Sequence, residues 1–120
     1  MTDTLLQVSP MEFVATESGF EDGMGGASNA AGAADYHYVL FGRDTDEQHP
    51  ERSGIYFEFD DQIHGAVDCV STVAIVDDRV SFELRDGQTI VVRRGMAVPK
   101  WSSFLRGIHD AFGDEIVQKG

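Results

Sequence analysis

Residues 67–93 read VDCVSTVAIVDDRVSFELRDGQTIVVR, and this stretch decides the fold. Its apolar residues are mainly β-branched, and from Val80 to Leu84 they alternate with polar residues, which is typical of a strand with one buried face. Asp86-Gly87 is a strong hairpin signal, and Asp77-Asp78 predicts another tight turn. Strands joined by such short turns must run antiparallel. The stretch therefore predicts an antiparallel sheet with strands at residues 67–76, 79–85 and 88–93.

Three upstream segments also predict strands, at residues 11–17, 36–42 and 55–60. In the third, alternation turns Ile55, Phe57 and Phe59 to one face and Tyr56, Glu58 and Asp60 to the other. Residues 19–35, GFEDGMGGASNAAGAAD, show no helical or strand periodicity, so we expect a long flexible Gly/Ala-rich loop there. This loop lacks Lys and Arg and the Gly-Lys-Ser/Thr ending of a phosphate-binding loop, which disfavours that function.

The pattern becomes helical after Pro99. Trp101, Phe104, Leu105, Ile108 and Phe112 share one helical face. Ser102 or Ser103 is the candidate N-cap, and Gly113 the candidate left-handed residue at the C-terminus. We therefore predict an α+β fold: an antiparallel β-meander of about five to six strands with one C-terminal amphipathic helix packed on the sheet.

Length and composition fit one soluble domain over residues 1–120. The single cysteine, Cys69, excludes an internal disulfide. Apolar runs fall far short of the ~20 residues of a membrane helix, and the N-terminus lacks the pattern of a signal peptide. We expect a cytoplasmic protein with no membrane partner.

The chain is strongly acidic, with 9 Lys+Arg against 21 Asp+Glu and a net charge of −12. Nine acids and two bases lie between Asp35 and Asp68, whereas two acids and six bases lie between Arg79 and Arg106. This balance disfavours a nucleic-acid partner, since phosphates would repel the chain. Two interpretations remain, namely solubility and an acidic face that steers a basic partner.

The most concentrated polar group is Glu58-Phe59-Asp60-Asp61-Gln62-Ile63-His64. Carboxylates of Glu58 and Asp60 on one strand face would lie roughly 6–7 Å apart, a spacing that would suit a hydrolase or, with His64, a metal site. A small domain offers little concavity for a substrate, and the calcium-loop pattern is absent. We therefore favour exposed acids at a strand end, with Asp61 and Gln62 making turn hydrogen bonds.

Cys69 is most simply a small buried hydrophobe. It would form a nucleophilic pair only if the fold brought it to His37 or His64. No Gly-x-Ser-x-Gly elbow is present. We expect neither an enzyme nor a cofactor.

Residues 36–112 resemble the Immunity protein 10 family of bacterial polymorphic-toxin systems. The resemblance covers YHYVLFGR at residues 36–43, GIYFEFDDQIHGAVDCVSTVAIVDDRVSFEL at 54–84, which contains the Glu58, Asp60, Asp61 and Gln62 segment, and IHDAFG at 108–113. It implies a small cytoplasmic protein that protects its producer by stoichiometric binding of a cognate toxin domain.

The acidic charge suits a basic toxin such as a nuclease, because carboxylates can occupy the positions of phosphates. Glu58, Asp60 and Asp61 are the candidate partner-binding residues, with Tyr56 as an aromatic anchor; packing of Tyr56 under a loop is the alternative. The alternative function is a small β-rich enzyme or ligand- or metal-binding domain that uses the carboxylates around Glu58–Asp61. Unpaired edge strands can pair between two copies of a chain, so the sequence is also compatible with a homodimer.

Overall fold

The structure, a computed structural model, describes residues 11–29, 35–44, 54–113 and 115–119. Over these residues the chain forms two five-stranded sheets and one helix, α1 (Trp101–Phe112). Sheet A has the order β1-β9-β8-β7-β10 and consists of β1 (Met11–Ala15), β7 (Val70–Val76), β8 (Arg79–Leu84), β9 (Thr89–Arg94) and β10 (Val117–Lys119). Sheet B follows chain order and consists of β2 (Glu17–Glu21), β3 (Met24–Ser28), β4 (Tyr38–Asp44), β5 (Gly54–Phe59) and β6 (Asp61–Val67).

The α+β class and the C-terminal helix packed on a sheet are confirmed. The predicted number of strands was too low, because the described residues contain ten strands in two sheets. Only sheet B is a simple antiparallel meander. In sheet A, β1 pairs with β9 and β10 pairs with β7 in parallel. No tight turn connects the strands of either pair, so no local sequence pattern predicts these pairings.

The prediction of a flexible loop at 19–35 is wrong for residues 19–28, which belong to the β2–β3 hairpin. Asp22 and Gly23 form its turn with positive φ values of 54° and 80°. The small residues reflect close packing: a Cβ on Gly25 would lie 2.5 Å from the Cζ atom of Phe41. Residues 30–34 of the predicted loop lie outside the described residues.

The strand predicted at 67–76 is divided between the two sheets. β6 ends at Val67 and β7 begins at Val70. Between them, Asp68 has a positive φ of 57°, and its Oδ1 accepts a 2.9 Å hydrogen bond from the Ile55 amide. The β-branched residues around Asp68 suggest one continuous strand. Asp68 nevertheless interrupts it, because an aspartate can adopt the left-handed conformation that the turn requires.

The two predicted hairpin turns are confirmed. Val76 pairs with Arg79 across Asp77-Asp78, and Asp86 Oδ1 accepts the Gln88 amide at 2.9 Å beside Gly87, whose φ is 93°.

The helix caps differ from the prediction. Lys100 is the N-cap residue, with a φ of 59° and no side-chain capping bond, so neither Ser102 nor Ser103 caps the helix. At the C-terminus, Gly113 has a positive φ of 82° as expected, but its ψ of 163° is extended and therefore not left-handed. The Gly113 carbonyl accepts the Ile116 and Val117 amides at 3.3 and 3.1 Å at the start of β10.

The core lies between the two sheets, and aromatic rings connect its layers. Phe41 of β4 contacts Phe82 of β8 and Phe112 of α1, with ring centroids 6.3 and 5.3 Å apart. Phe57 and Phe82 also connect the sheets, at 4.9 Å. The helix closes this core beside β2 and β3. No helix in the described part of the chain is long and apolar enough to cross a membrane.

Substitution Gly107→Ala tests the contact between helix and sheet. A Cβ there would lie 2.8 Å from the Phe20 Cβ and closer still to its ring. Overpacking costs about 1–3 kcal/mol, and three Phe20 atoms within 2.8 Å favour the upper part of this range, about 2–3 kcal/mol. The higher helix propensity of alanine offsets about 1 kcal/mol of this cost. We expect urea unfolding to show a net loss of about 1–2 kcal/mol.

The matched control is Ser102→Ala on the exposed side of the same helix, which should change stability by less than about 0.5 kcal/mol. Equal stability of the two variants would contradict the close packing of α1 on β2.

Candidate functional site

The outer face of sheet B carries most of the residues that the sequence analysis selected. In the β4–β5 pair, Leu40 lies opposite Glu58 and Gly42 opposite Tyr56. Because side chains alternate along a strand, burial of Phe41 and Phe57 in the core sets their neighbours on the outer face. We call Tyr38, Tyr56 and Glu58 the tyrosine–glutamate cluster.

Glu58 is the centre of this cluster. It is only 6% exposed, although we predicted an exposed acid. The Tyr38 hydroxyl donates a short hydrogen bond to Glu58 Oε2, and the Tyr56 hydroxyl donates to Oε1 at 2.6 Å. Both carboxylate oxygens are thus engaged, as the burial of a charged group requires.

The cluster raises the pKa of both phenols. For Tyr38, burial raises the pKa most, followed by the hydrogen bond to Glu58 and the negative charges of Glu58 and Asp61. For Tyr56, the hydrogen bond to Glu58 is the largest cause and burial the next. Both effects favour the neutral phenol, which therefore remains a hydrogen-bond donor to Glu58.

Asp60 does not share the face of Glu58, contrary to the prediction. It leaves the strand with a positive φ of 61° in the β5–β6 turn. Its Oδ2 lies 2.8 Å from His37 Nδ1, and its Oδ1 accepts the Tyr38 amide at 3.1 Å. The His37 ring also stacks on Phe13 of β1, with centroids 6.0 Å apart. Asp60 therefore fixes the start of β4, and this explains why the predicted carboxylate pair is absent.

Asp61 is the exposed acid of the group. Its Oδ1 accepts the Ile63 amide at 3.2 Å, which confirms a local turn role for this residue. It pairs with Phe59 at the start of β6, and its charge contributes to the raised pKa of Tyr38. The Gln62 side chain lies outside the described residues.

Tyr56 lies across the neighbouring strand β6. A Cβ on Gly65 would lie 2.6 Å from the Tyr56 Cζ, so glycine is required for the phenol to occupy this position. Tyr56 is thus packed on the neighbouring strand of the sheet.

Cys69 is half-buried, and burial raises the pKa of its thiol. Its Sγ donates to the Ala66 carbonyl at 3.7 Å. Of the two histidines considered as partners, His37 is bound to Asp60, and His64 stacks on Phe59 with centroids 4.6 Å apart. Among the residues that the structure describes, no group of three or more His, Cys, Asp or Glu could hold a metal ion.

Tyr36 and Tyr38 also belong to this face, although the sequence pattern did not single them out. Their rings lie 6.1 Å apart, and Tyr38 shares the carboxylate of Glu58 with Tyr56. The signal was the Tyr-x-Tyr spacing in YHYVLFG, which places two aromatic rings on one side of an extended chain.

Comparison with known proteins gives no relative: no model of a protein family, no curated protein and no solved structure matches this chain.

Substitution Glu58→Gln tests the cluster through its pH dependence. Removing the negative charge should lower the pKa of Tyr38 and Tyr56 towards the ordinary value of about 10. When the pKa of a phenol is higher in the folded than in the unfolded protein, the folded state has its full stability at pH values below the unfolded pKa. This stability is lost as pH rises above the unfolded pKa, because the unfolded chain then releases the proton more readily. Stability of the native protein should therefore decline above about pH 10, and the variant should show a shallower decline.

The measurements are tyrosinate absorbance and urea unfolding as functions of pH. Glu83→Gln, which removes one exposed charge from β8, is the control and should retain the native curves. Superimposable absorbance titrations of Glu58→Gln and the native protein would contradict the cluster.

Proposed function

We propose that this protein is a stoichiometric protein-binding module that neutralises a basic toxin domain, as the resemblance implies, through the outer face of sheet B. The observation that carries the proposal is a sheet face with ordered tyrosines and exposed acids on a chain of net charge −12. Interfaces that bind proteins are enriched in tyrosine and surround such anchors with polar groups.

Exposed apolar side chains support this choice of face. Six large ones are exposed among the described residues, and four belong to sheet B or to the segment leading into β4: Met24, Tyr36, Ile63 and Val67. The other two, Val14 and Met96, lie apart from this group. Apolar area concentrated on one side of a small protein is typical of an interaction surface.

Charge supports a basic partner. Glu17, Glu21 and Asp61 are exposed on sheet B. In the described part of sheet B, Arg43 is the one Lys or Arg, and its Nη2 is directed at the Asp110 carbonyl of α1, 3.3 Å away. Lys100, which precedes α1, lies beside Gly19 of β2, so the three exposed acids outnumber this cation. The net negative charge attracts cationic surfaces and increases their association rate.

Catalysis by the carboxylates around Glu58–Asp61 is less well supported than binding. Both oxygens of Glu58 accept phenol hydrogen bonds, and both oxygens of Asp60 are engaged by His37 and Tyr38. These bonds hold local structure together and leave Asp61 as the group directed to solvent. A structural and recognition role accounts for all three acids.

The experiment starts from a tagged protein that captures its partner from producing cells. The purified partner should be toxic when expressed alone and harmless when the two are co-expressed. Binding kinetics are then measured over a range of salt concentrations for Asp61→Asn and for Asp77→Asn, which makes the same change in the β7–β8 turn. Asp61→Asn should lower the association rate several-fold at low salt and little at high salt, whereas Asp77→Asn should retain the native rate.

Two results would contradict the proposal. A captured partner without toxicity would exclude neutralisation. Equal rates for Asp61→Asn and Asp77→Asn at low salt would exclude the outer face of sheet B as the acidic contact.

A further inference from the structure

A shallow groove of about 270 Å³ lies on sheet B next to the tyrosine–glutamate cluster. It runs across β2, β3 and β4, and the residues that matter for its chemistry are Glu17, Gly26, Tyr36, Tyr38 and Leu40. The groove combines three kinds of surface, namely an aromatic wall, a small apolar floor and an acidic rim.

Tyr36 and Tyr38 form the aromatic wall, with centroids 6.1 Å apart and ring planes inclined by 32°. Tyr36 is 45% exposed, so its ring is accessible. The hydrogen bond from Tyr38 to Glu58 fixes the second ring. A phenol that donates to a carboxylate gains electron density, which strengthens its attraction for a cation.

The floor and the rim add apolar contact and charge. Leu40 and Gly26 form the floor, and a Cβ on Gly26 would lie 2.6 Å from the Val39 carbonyl oxygen, so this position excludes a side chain. Glu17 is an exposed acid on β2, opposite Ser28 of β3. Among the described residues that line the groove there is no Lys or Arg, and Lys100 lies in the adjoining depression, beside Gly19 of β2.

We propose that this groove binds one arginine side chain of the basic partner. The aliphatic part of an arginine would cover Leu40 and Gly26, and its planar guanidinium would stack on the tyrosines and pair with Glu17. Arginine fits better than lysine, because its flat group stacks on rings and binds a carboxylate through two hydrogen bonds. The inference rests on the proposed function and specifies which partner residue the face recognises.

The test uses the full chain labelled with nitrogen-15 and titrated with N-acetyl-arginine N-methylamide. We expect amide shifts that saturate and centre on β3 and β4, around Gly26, Tyr38 and Leu40. The citrulline analogue has nearly the same shape without the charge, and it should produce no such shifts. Equal responses to arginine and citrulline, or equal responses to arginine and lysine derivatives, would overturn the assignment to a guanidinium.

Variants locate the site. Tyr36→Leu keeps apolar area but removes the π face, and Glu17→Gln removes the charge; each should weaken binding about two- to fivefold. Glu83→Gln is the matched control, because it makes the same change at an exposed position on β8 of sheet A. An equal loss of affinity in Glu17→Gln and Glu83→Gln would show diffuse attraction to an acidic chain and would overturn the site.

Failure of this inference is distinguishable from failure of the proposed function. If the captured toxin binds Tyr36→Leu and Glu17→Gln with native affinity, neutralisation stands and the arginine groove is wrong. If both variants weaken toxin binding and arginine titration, the groove is the recognition site.

Discussion

The position of Phe41 is the constraint on which the rest of the structure depends. Its ring contacts Phe20 of β2, Phe82 of β8, and Phe104 and Phe112 of α1, at centroid distances between 5.3 and 6.4 Å. Both sheets and the helix thus meet at one fully buried side chain. Alternation along β4 then leaves no freedom for its neighbours: with Phe41 inside, Tyr38 and Leu40 must face outwards. The same register that builds the core therefore builds the outer face of sheet B.

Burial of Glu58 follows from that register and imposes a second requirement. A carboxylate held at 6% exposure is costly unless its oxygens accept hydrogen bonds. The two phenols meet this requirement from opposite sides of the Leu40–Glu58 pair, since Tyr38 lies two residues before Leu40 on β4 and Tyr56 two residues before Glu58 on β5. Their rings thereby become fixed on the sheet. Rigid aromatic side chains lose little conformational entropy when a partner binds. The buried acid thus orders the surface, while the exposed acids Glu17 and Asp61 provide its charge.

The sequence reveals local features of this fold more completely than distant ones. The Asp77-Asp78 and Asp86-Gly87 turns and the apolar face of α1 depend on neighbouring residues, and these predictions are confirmed. The parallel pairings of β1 and β10 and the crossing at Asp68 depend on residues far apart in the chain, and they were missed. Gly25 and Gly26 suggested a loop because composition cannot distinguish a flexible glycine from one that the neighbouring strand requires: a Cβ would meet the Phe41 ring at Gly25 and the Val39 carbonyl oxygen at Gly26. Alternation correctly placed Tyr56 and Glu58 on one face of β5, but the exposure of Glu58 depends on Tyr38, which lies 20 residues away.

The central claim is that the outer face of sheet B is the surface that binds the partner. Cross-saturation in the purified complex tests it most directly, because amides of this deuterated chain lose signal only where protons of the unlabelled partner lie close. The account predicts losses in β3, β4, β5 and β6, strongest near Tyr38, Tyr56 and Asp61. Losses confined to β7, β8 and β9 of sheet A, with sheet B unaffected, would contradict it.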